Sequence, residues 1–473
     1  MKYDYKENRV TELKIAYIGG GSRGWARTLM SDLAMCEDMS GDVYLYDIDY
    51  DSALCNEAIG NRFNDAEGAK SRWNYHAAKT PKEACTGADF VIISILPGTF
   101  DEMESDVHAP EKYGIYQSVG DTSGPGGILR AMRSAPMFEE IALYIKEYCP
   151  DAWVINYTNP MTLCIKTLYR TFPEIKAYGC CHEVFGTQWL MQHILHEKTG
   201  IRPESSKDVK VNIVGVNHFT WFTAASYKDI DLMPMYRDYA REHAEDGCMA
   251  GNGDNWMNNS FSSIQKVKFD LCNRFSYVAA AGDRHLAEFC EGKWYLKDAD
   301  SPRDDWGFGL TPVSWRKQSQ KDAIAHSERL RRGEGEIKIK GSGEEGVIQM
   351  RALLGLREDF TTNVNMPNRG QIPNLPEGAI VETNFCFRAG SATPLYAGAV
   401  PNEILPLIGR ICTEQEALDK AIAERDLNAI FNVFANDPLV TCSLSDAKAL
   451  FKEMVENTKK YLGDYDLTQL ESL

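Results

Sequence analysis

The chain has 473 residues, 44% of them hydrophobic and 25% charged, and a formal net charge of −17. This is the composition of a globular protein with room for two ordinary domains, and no apolar stretch of about 18 residues is present to span a bilayer. The acidic balance, without any Lys/Arg-rich block, excludes nucleic acid as a partner, because neutralising phosphates takes a basic face. Thirteen cysteines never fall in a CxxC pair and read as reduced thiols, and the charged start from Met1 to Arg9 lacks the apolar run of a signal peptide. A cytoplasmic location is expected.

From Lys14 to about Asn217, short β-branched runs alternate with amphipathic stretches, which predicts an α/β, doubly wound, Rossmann-type sheet with helices on both faces. Strands are predicted at Lys14–Ile18, Val43–Asp47, Ala88–Ile95, Trp153–Asn156, Ile175–Gly179 and Val211–Gly215. Helices are predicted at about Gly24–Met35, Ile128–Tyr148, Met161–Tyr169 and Val184–Glu197. Beyond Asn217 the regularity lapses. A Gly/Asn-rich piece at Ala250–Asn255 precedes helical runs around Phe261–Asp270 and Glu345–Leu354, and Gly333–Gly346 predicts an exposed hairpin or loop. The expected division is a dinucleotide-binding domain over residues 1–215 and a second, α+β domain over residues 216–473 that caps the substrate.

Gly19-Gly20-Gly21-Ser22-Arg23-Gly24 follows the first strand directly and opens a helix, so it meets the GxGxxG spacing in its proper context. Gly19 permits the tight turn, Gly21 lets the backbone approach a pyrophosphate, and the amides from Ser22 to Gly24 face the anion. Asp47 closes the second strand where an acid grips a ribose diol, which favours NAD over its 2′-phosphorylated relative.

Four polar clusters fall at predicted C-terminal strand ends or beside them, where open α/β sheets place their ligands. They are Gly120 to Gly127 before a helix carrying Arg130 and Arg133, Asn156 to Met161 with Asn159 at an Asn-Pro turn, Gly179-Cys180-Cys181-His182-Glu183, and Gly215-Val216-Asn217-His218-Phe219. Cys181 and His218 suit a divalent transition ion if the fold brings them together, and two donors alone leave positions open to water or substrate. Taken singly, a Cys is more often a small buried hydrophobe and a His a satisfied polar residue than a metal ligand.

Taken together and in this order, these motifs resemble the family 4 glycoside hydrolases. The resemblance runs through Asp121-Thr122-Ser123-Gly124-Pro125-Gly126-Gly127, Asn159-Pro160, Cys181-His182-Glu183-Val184, Asn217-His218-Phe219-Thr220-Trp221, Asp283-Arg284-His285 and Asn374-Leu375-Pro376. It implies a lactate/malate dehydrogenase-like arrangement of the two domains, NAD and a divalent metal, Mn²⁺ for preference, and a homo-oligomer (dimer or tetramer). It implies Cys181 and His218 as metal ligands, with Cys180 left to packing. Cys-His-Glu-Val looks like the α-galacturonidase type, so the implied substrate is an α-galacturonide oligosaccharide; an α-galactosidase or α-glucuronidase is the alternative within the family.

The family departs from the two-carboxylate mechanism of other glycosidases. Hydride passes from C3 to NAD⁺, the ketone acidifies the C2 proton, a base removes it, and the aglycone leaves before water adds and the hydride returns. Aligned with the family, Tyr277 is the expected base, with Tyr236 and Tyr239 as alternates; His182 is the expected acid, assisted by Asp121. Asn159 is expected to bind sugar hydroxyls, and Arg284 or Arg130 to meet the uronate carboxylate. Rival readings are a plain NAD-dependent sugar or hydroxy-acid dehydrogenase, which would accumulate NADH, and an NAD-binding regulator without turnover.

Overall fold

Ile15, Ala16, Tyr17 and Ile18 are all buried, as a strand covered on both faces requires. In the computed structural model, which describes residues 1–249 and 261–473, this run lies in the middle of the larger of two sheets. The segment expected to be Gly/Asn-rich at Ala250–Asn255 lies outside the described residues. The strands are β1 (Lys2–Asp4), β2 (Arg9–Ile18), β3 (Met39–Tyr46), β4 (Trp73–Ala78), β5 (Phe90–Ile93), β6 (Trp153–Asn156), β7 (Lys176–Gly179), β8 (Lys210–Val216), β9 (Phe219–Tyr227), β10 (Ile230–Asp231), β11 (Val278–Ala279), β12 (Phe360–Pro367), β13 (Ile380–Arg388) and β14 (Ser391–Pro394).

Parallel strands run in the order β4-β3-β2-β5-β6-β7, the arrangement of two mononucleotide-binding halves whose order reverses between β2 and β5. Helices Trp25–Ala34, Tyr50–Arg62 and Gly346–Leu353 pack on one face and helices Gly124–Tyr148 and Met161–Thr171 on the other. The doubly wound α/β fold is therefore as expected. Strand β4 escaped the sequence reading because it is an edge strand: only Trp73, Tyr75 and Ala78 are buried, and the Asn74 and His76 between them break the apolar run.

Beyond β7 the sheet continues antiparallel through β12, β13 and β14, joined by the pairing of Asn365 with Gly179. This hairpin, far along the chain, covers the β7 edge and brings Asn363, Asn365 and Glu382 to the end of that strand. Strand β8 differs from expectation in its partner. It pairs antiparallel with β9 in a second, four-stranded sheet, so the division expected between residues 215 and 216 falls within the β8–β9 hairpin. One face of that sheet packs on helices Leu405–Ala423, Leu427–Asn436 and Leu444–Thr458, and the other on helices Glu183–Thr199, Met233–Glu242 and Lys266–Phe275. The last of these begins later than the helical run expected at Phe261–Asp270. Gly333–Gly346 is a loop without strands, and no helix among the described residues is long and apolar enough to cross a membrane.

A buried ion pair fixes the long helix Gly124–Tyr148 against helix Phe100–His108 and the loop before it. Arg133 donates Nη1 to Asp106 Oδ1 at 3.0 Å and Nε to the Pro97 carbonyl at 3.3 Å, and both charged side chains are about 1% exposed. Removing one partner strands the other charge in the core, so Arg133→Ala is expected to cost about 3–5 kcal/mol in urea unfolding. Arg133→Met combined with Asp106→Leu is expected to cost less than the single change. A double variant no more stable than Arg133→Ala would show that the pair holds the helix by more than charge satisfaction.

Candidate active site

The glycine turn sits at the switch point between β2 and β5. Gly19 adopts φ +91, and a Cβ there would overlap the Ser94 carbonyl at the end of β5. Gly19 and Gly20 both donate to the Tyr46 carbonyl at 2.9 Å, and Ser22 donates to Gly19 O at 3.0 Å. The buried Asn56 holds the turn from behind, giving its amide to Gly20 O and Ser22 O at 2.8 Å. Gly24 caps the following helix with no side-chain bond and with open space around it, so the close-packing role falls to Gly20 and Gly21 instead. Asp47 Oδ2 accepts from Gly21 N at 2.8 Å and Oδ1 from Asp49 N at 2.9 Å. Each oxygen keeps a lone pair for a diol. Burial pushes the Asp47 carboxyl above its ordinary pKa.

The second set of residues gathers where β7 and the β8–β9 turn end. Cys180 and Cys181 point to opposite sides of the sheet: Cys180 donates to Gln349 Oε1 at 3.0 Å within one core, whereas Cys181 faces the other. The Cys181 thiol accepts from the Glu183 amide, at the start of the helix Glu183–Thr199, and from the Asn217 side chain. Burial nonetheless drives its pKa well up, helped by Glu382 and Glu183. His218 takes a left-handed conformation, φ +63, in the tight turn between β8 and β9.

The tautomer of His218 follows from its neighbours. Thr122 gives its one hydroxyl proton to Asp121 Oδ1 at 2.7 Å, so toward His218 Nδ1, at 3.1 Å, it can only accept. Nδ1 therefore carries the proton and the Nε2 lone pair is left free. Burial, with His285 adding to it, lowers the His218 pKa to about 3, so the ring is neutral. For Asp121 burial raises the pKa, but Arg130, His285 and His218 outweigh it and keep the group ionised.

Several neighbours escaped the sequence reading. His285 stands within the quoted Asp-Arg-His motif but had no role assigned; its ring lies 3.8 Å from that of His218, and its Nδ1 is buried without a partner. Glu183 turns away from the crevice, accepting from Gly282 N at 2.9 Å and lying 3.7 Å from His285 Nε2. Burial would raise its pKa, but His285, His182 and His218 draw it well down. Glu344, on the Gly333–Gly346 loop, meets His182 Nδ1 at 2.9 Å. Burial opposes a charged His182, yet that contact holds its pKa up at about 9. The buried Glu382 accepts from Asn363 at 2.7 Å and from Asn217 and Asn365 at 3.2 Å, while Asn363 also donates to the Cys181 carbonyl at 3.1 Å.

Other expected residues are placed differently. Asn159 lies in the loop beyond β6 and joins Pro160 by a cis peptide bond; its carbonyl accepts from Arg130 Nε at 3.0 Å, and its Oδ1 is buried without a partner. Arg284 is spent on its own scaffold, donating to Gly309 O at 3.0 Å, to Thr311 Oγ1 at 2.7 Å and to the Ser118 carbonyl. Tyr277 is not brought to the pair. It precedes β11, whose pairing of Val278 with Phe222 sets it level with Thr223 on β9. At ~3.3 Å per residue that is roughly 16 Å along the strand from His218. The alternates fare no better: Tyr236 and Tyr239 are buried in the core beneath helix Met233–Glu242, and burial raises both phenols. Among the described residues no group of three or more His, Cys, Asp or Glu side chains is arranged to hold a metal.

With this geometry established, comparison with known proteins is decisive. The family 4 glycosyl hydrolase model matches residues 14–197, and the model of that family's C-terminal domain matches residues 213–440. The chain belongs to glycosyl hydrolase family 4. It is 58% identical to an α-galacturonidase of Thermoanaerobacterium saccharolyticum over 98% of this chain and 99% of that one. A solved Bacillus subtilis structure described as a glucosidase superposes with a TM-score of 0.88 at 49% identity, covering 94% of this chain and 100% of its own. A 6-phospho-α-glucosidase from gut microorganisms, solved with NAD and Mn²⁺, shares the fold at a TM-score of 0.77 and 20% identity, covering 95% and 99%.

Two outcomes follow from the buried carboxyls. Glu382→Leu removes the acceptor that three buried amides share and is expected to cost about 3–5 kcal/mol in urea unfolding, with Glu382→Gln losing about 1–3 kcal/mol. Unchanged midpoints would show that the network is dispensable. Glu288, which accepts from Val119 N at 2.7 Å and Gly120 N at 2.9 Å behind the Asp121 loop, has its pKa raised by burial to about 8. A folded pKa above the unfolded value means stability present at low pH and lost as pH rises through 8. The denaturant midpoint of the native chain should therefore fall more steeply between pH 6 and 9 than that of Glu288→Gln; parallel profiles would refute the shift.

Proposed function

We propose that the protein hydrolyses α-galacturonides using NAD and a divalent cation, with Mn²⁺ as the first candidate. The observation that carries this reading is the order Asp121–Thr122–His218, which leaves a neutral imidazole with a free Nε2 near a buried thiol. The α-galacturonidase identity of the 58% relative supports the sugar, and the cofactors crystallised with the 6-phospho-α-glucosidase support the rest. The residues present fit both groups: the glycine turn and Asp47 offer a pyrophosphate cradle and diol acceptors, and Cys181 and His218 offer soft and borderline donors beside the unpartnered Asn217 Oδ1. Bound there, the nicotinamide supplies reversible hydride uptake from C3 and the cation acidifies the neighbouring C2–H bond.

The chain's own residues do the remaining work. His182, ion-paired with Glu344, is assigned the protonation of the departing glycosidic oxygen. Asn159 accepts from a sugar hydroxyl through its unpartnered Oδ1. Residues 1–215 would hold NAD and contribute Cys181, and residues 216–473 would contribute His218 and cap the sugar. Tyr277 is assigned no proton transfer, since the groups at the strand ends are His182, His285 and Asp121.

Cys181→Ser should lose Mn²⁺ activation yet bind NAD⁺ normally; normal turnover after exhaustive chelation would overturn the ligand assignment. Tyr277→Phe should keep turnover within about threefold, and a hundredfold loss at unchanged stability would return the base to that tyrosine. Hydrolysis of an aryl α-galacturonide in D₂O should yield saturated galacturonate with deuterium at C2 and no net NADH. Accumulated NADH would indicate a dehydrogenase, and an unsaturated sugar a lyase.

A further inference from the structure

Three arginines surround the Asp121 loop, and internal bonds account for only one of them. Arg284 gives Nε and one terminal nitrogen to Gly309, Ser118 and Thr311. Arg130 is buried and gives only Nε, to the Asn159 carbonyl; among the described residues its terminal nitrogens meet no acceptor and form no ion pair. Arg316, in the first turn of helix Val313–Arg331, lies 4.7 Å from the centre of the Phe261 ring, which Arg284 also approaches, at 4.5 Å. Its Nε is buried without an acceptor, and among the described residues it too has no ion pair. Contact with an aromatic face lowers the cost of a buried cation but satisfies none of its N–H groups.

The carboxylate within electrostatic reach of both free arginines is Asp121, and one of its oxygens already accepts the Thr122 hydroxyl. Glu288 lies behind the loop with Oε1 given to two backbone amides and Oε2 buried without a partner. Three guanidinium groups around one loop, in a chain with net charge −17, are an arrangement for binding an anion. Planar guanidinium forks match a carboxylate in particular. We propose that Arg130 and Arg316 together form the subsite for the C6 carboxylate of a hexuronate. The assignment rests on the uronide reading of the function and deepens it, adding Arg316 and giving Arg284 a scaffold role.

The test uses the full chain with NAD⁺ and Mn²⁺ and measures, by calorimetry, the affinities for galacturonate, its neutral isostere galacturonamide, galactose and galactose 6-phosphate. The native protein should bind galacturonate at least about thirtyfold more tightly than the amide. In Arg316→Gln that ratio should collapse to about threefold or less, with NAD⁺ affinity and melting temperature unchanged; Arg316→Lys, should the glutamine variant not fold, should reduce the ratio as well. A native ratio near one, or tighter binding of galactose 6-phosphate, would overturn both the uronide reading and the subsite. An intact preference for galacturonate that survives in the Arg316 variants, or a loss confined to NAD⁺, would overturn the subsite alone.

Discussion

A single buried carboxylate, Glu382, ties the distant parts of this site together. Three asparagine amides converge on it, from β12 and from the β8–β9 turn, and only an acceptor-only group can take all three. Through Asn363 it reaches the carbonyl of Cys181, and through Asn217 it reaches both the Cys181 thiol and the residue before His218. Burial raises its pKa to about 7, opposed by the three amides, so its cost in the core is offset by the bonds it accepts. Without that convergence the antiparallel hairpin would hold Cys181 by the Asn363 bond alone, and its hydrogen bond to the residue before His218 would be lost.

The same logic of short polar chains runs outward from the pair. Thr122 passes the constraint of Asp121 to His218, and Glu183 passes that of the Gly282 amide to His285. This gives a physical account of why Glu183 follows the Cys-His pair: it positions the 282–285 turn rather than the sugar. Cys181 follows the C-terminal end of β7, and the open edge of such a parallel sheet is where α/β folds collect their ligands.

Much of this was legible in the sequence. The strand Trp153–Asn156 has the predicted bounds, the glycine turn follows the first strand and opens a helix, and Asp47 and Cys181 follow the ends of β3 and β7 as read, whereas His218 stands in a hairpin turn of the second sheet. What was not legible depended on long-range pairing. Strand β12 carries the buried Asn363 and Asn365 and β13 the buried Glu382, which interrupt the apolar runs a reader looks for, and β8 is apolar enough for either sheet. Tyr277 sits in a segment whose register against β9 no local pattern reveals, and Arg284 reads as a free cation until the loops it binds are folded around it. Glu344 lies in a Gly, Glu and Lys-rich stretch that looks solvent-exposed by composition, yet its end folds over helix Trp25–Ala34 through Ser31 and Asp32 to reach His182.

The placement of the acids bears on how a glycosidic bond is cleaved here. Most glycosidases need two carboxyls free to face the bond from either side. Around these strand ends each acid has a fixed partner: Asp121 holds Thr122, Glu183 holds the Gly282 amide, Glu382 holds three asparagines, Glu288 holds two backbone amides and Glu344 holds His182. The groups left unpartnered are, besides Glu288 Oε2 behind the Asp121 loop, His218 Nε2 and His285 Nδ1, the Asn159 and Asn217 carbonyl oxygens, and the donors of Arg130 and Arg316. That inventory suits binding a cation, orienting hydroxyls and holding an anion. Among the described residues these strand ends bring together no two carboxyls that are both free of protein partners, the arrangement a two-carboxylate mechanism would use.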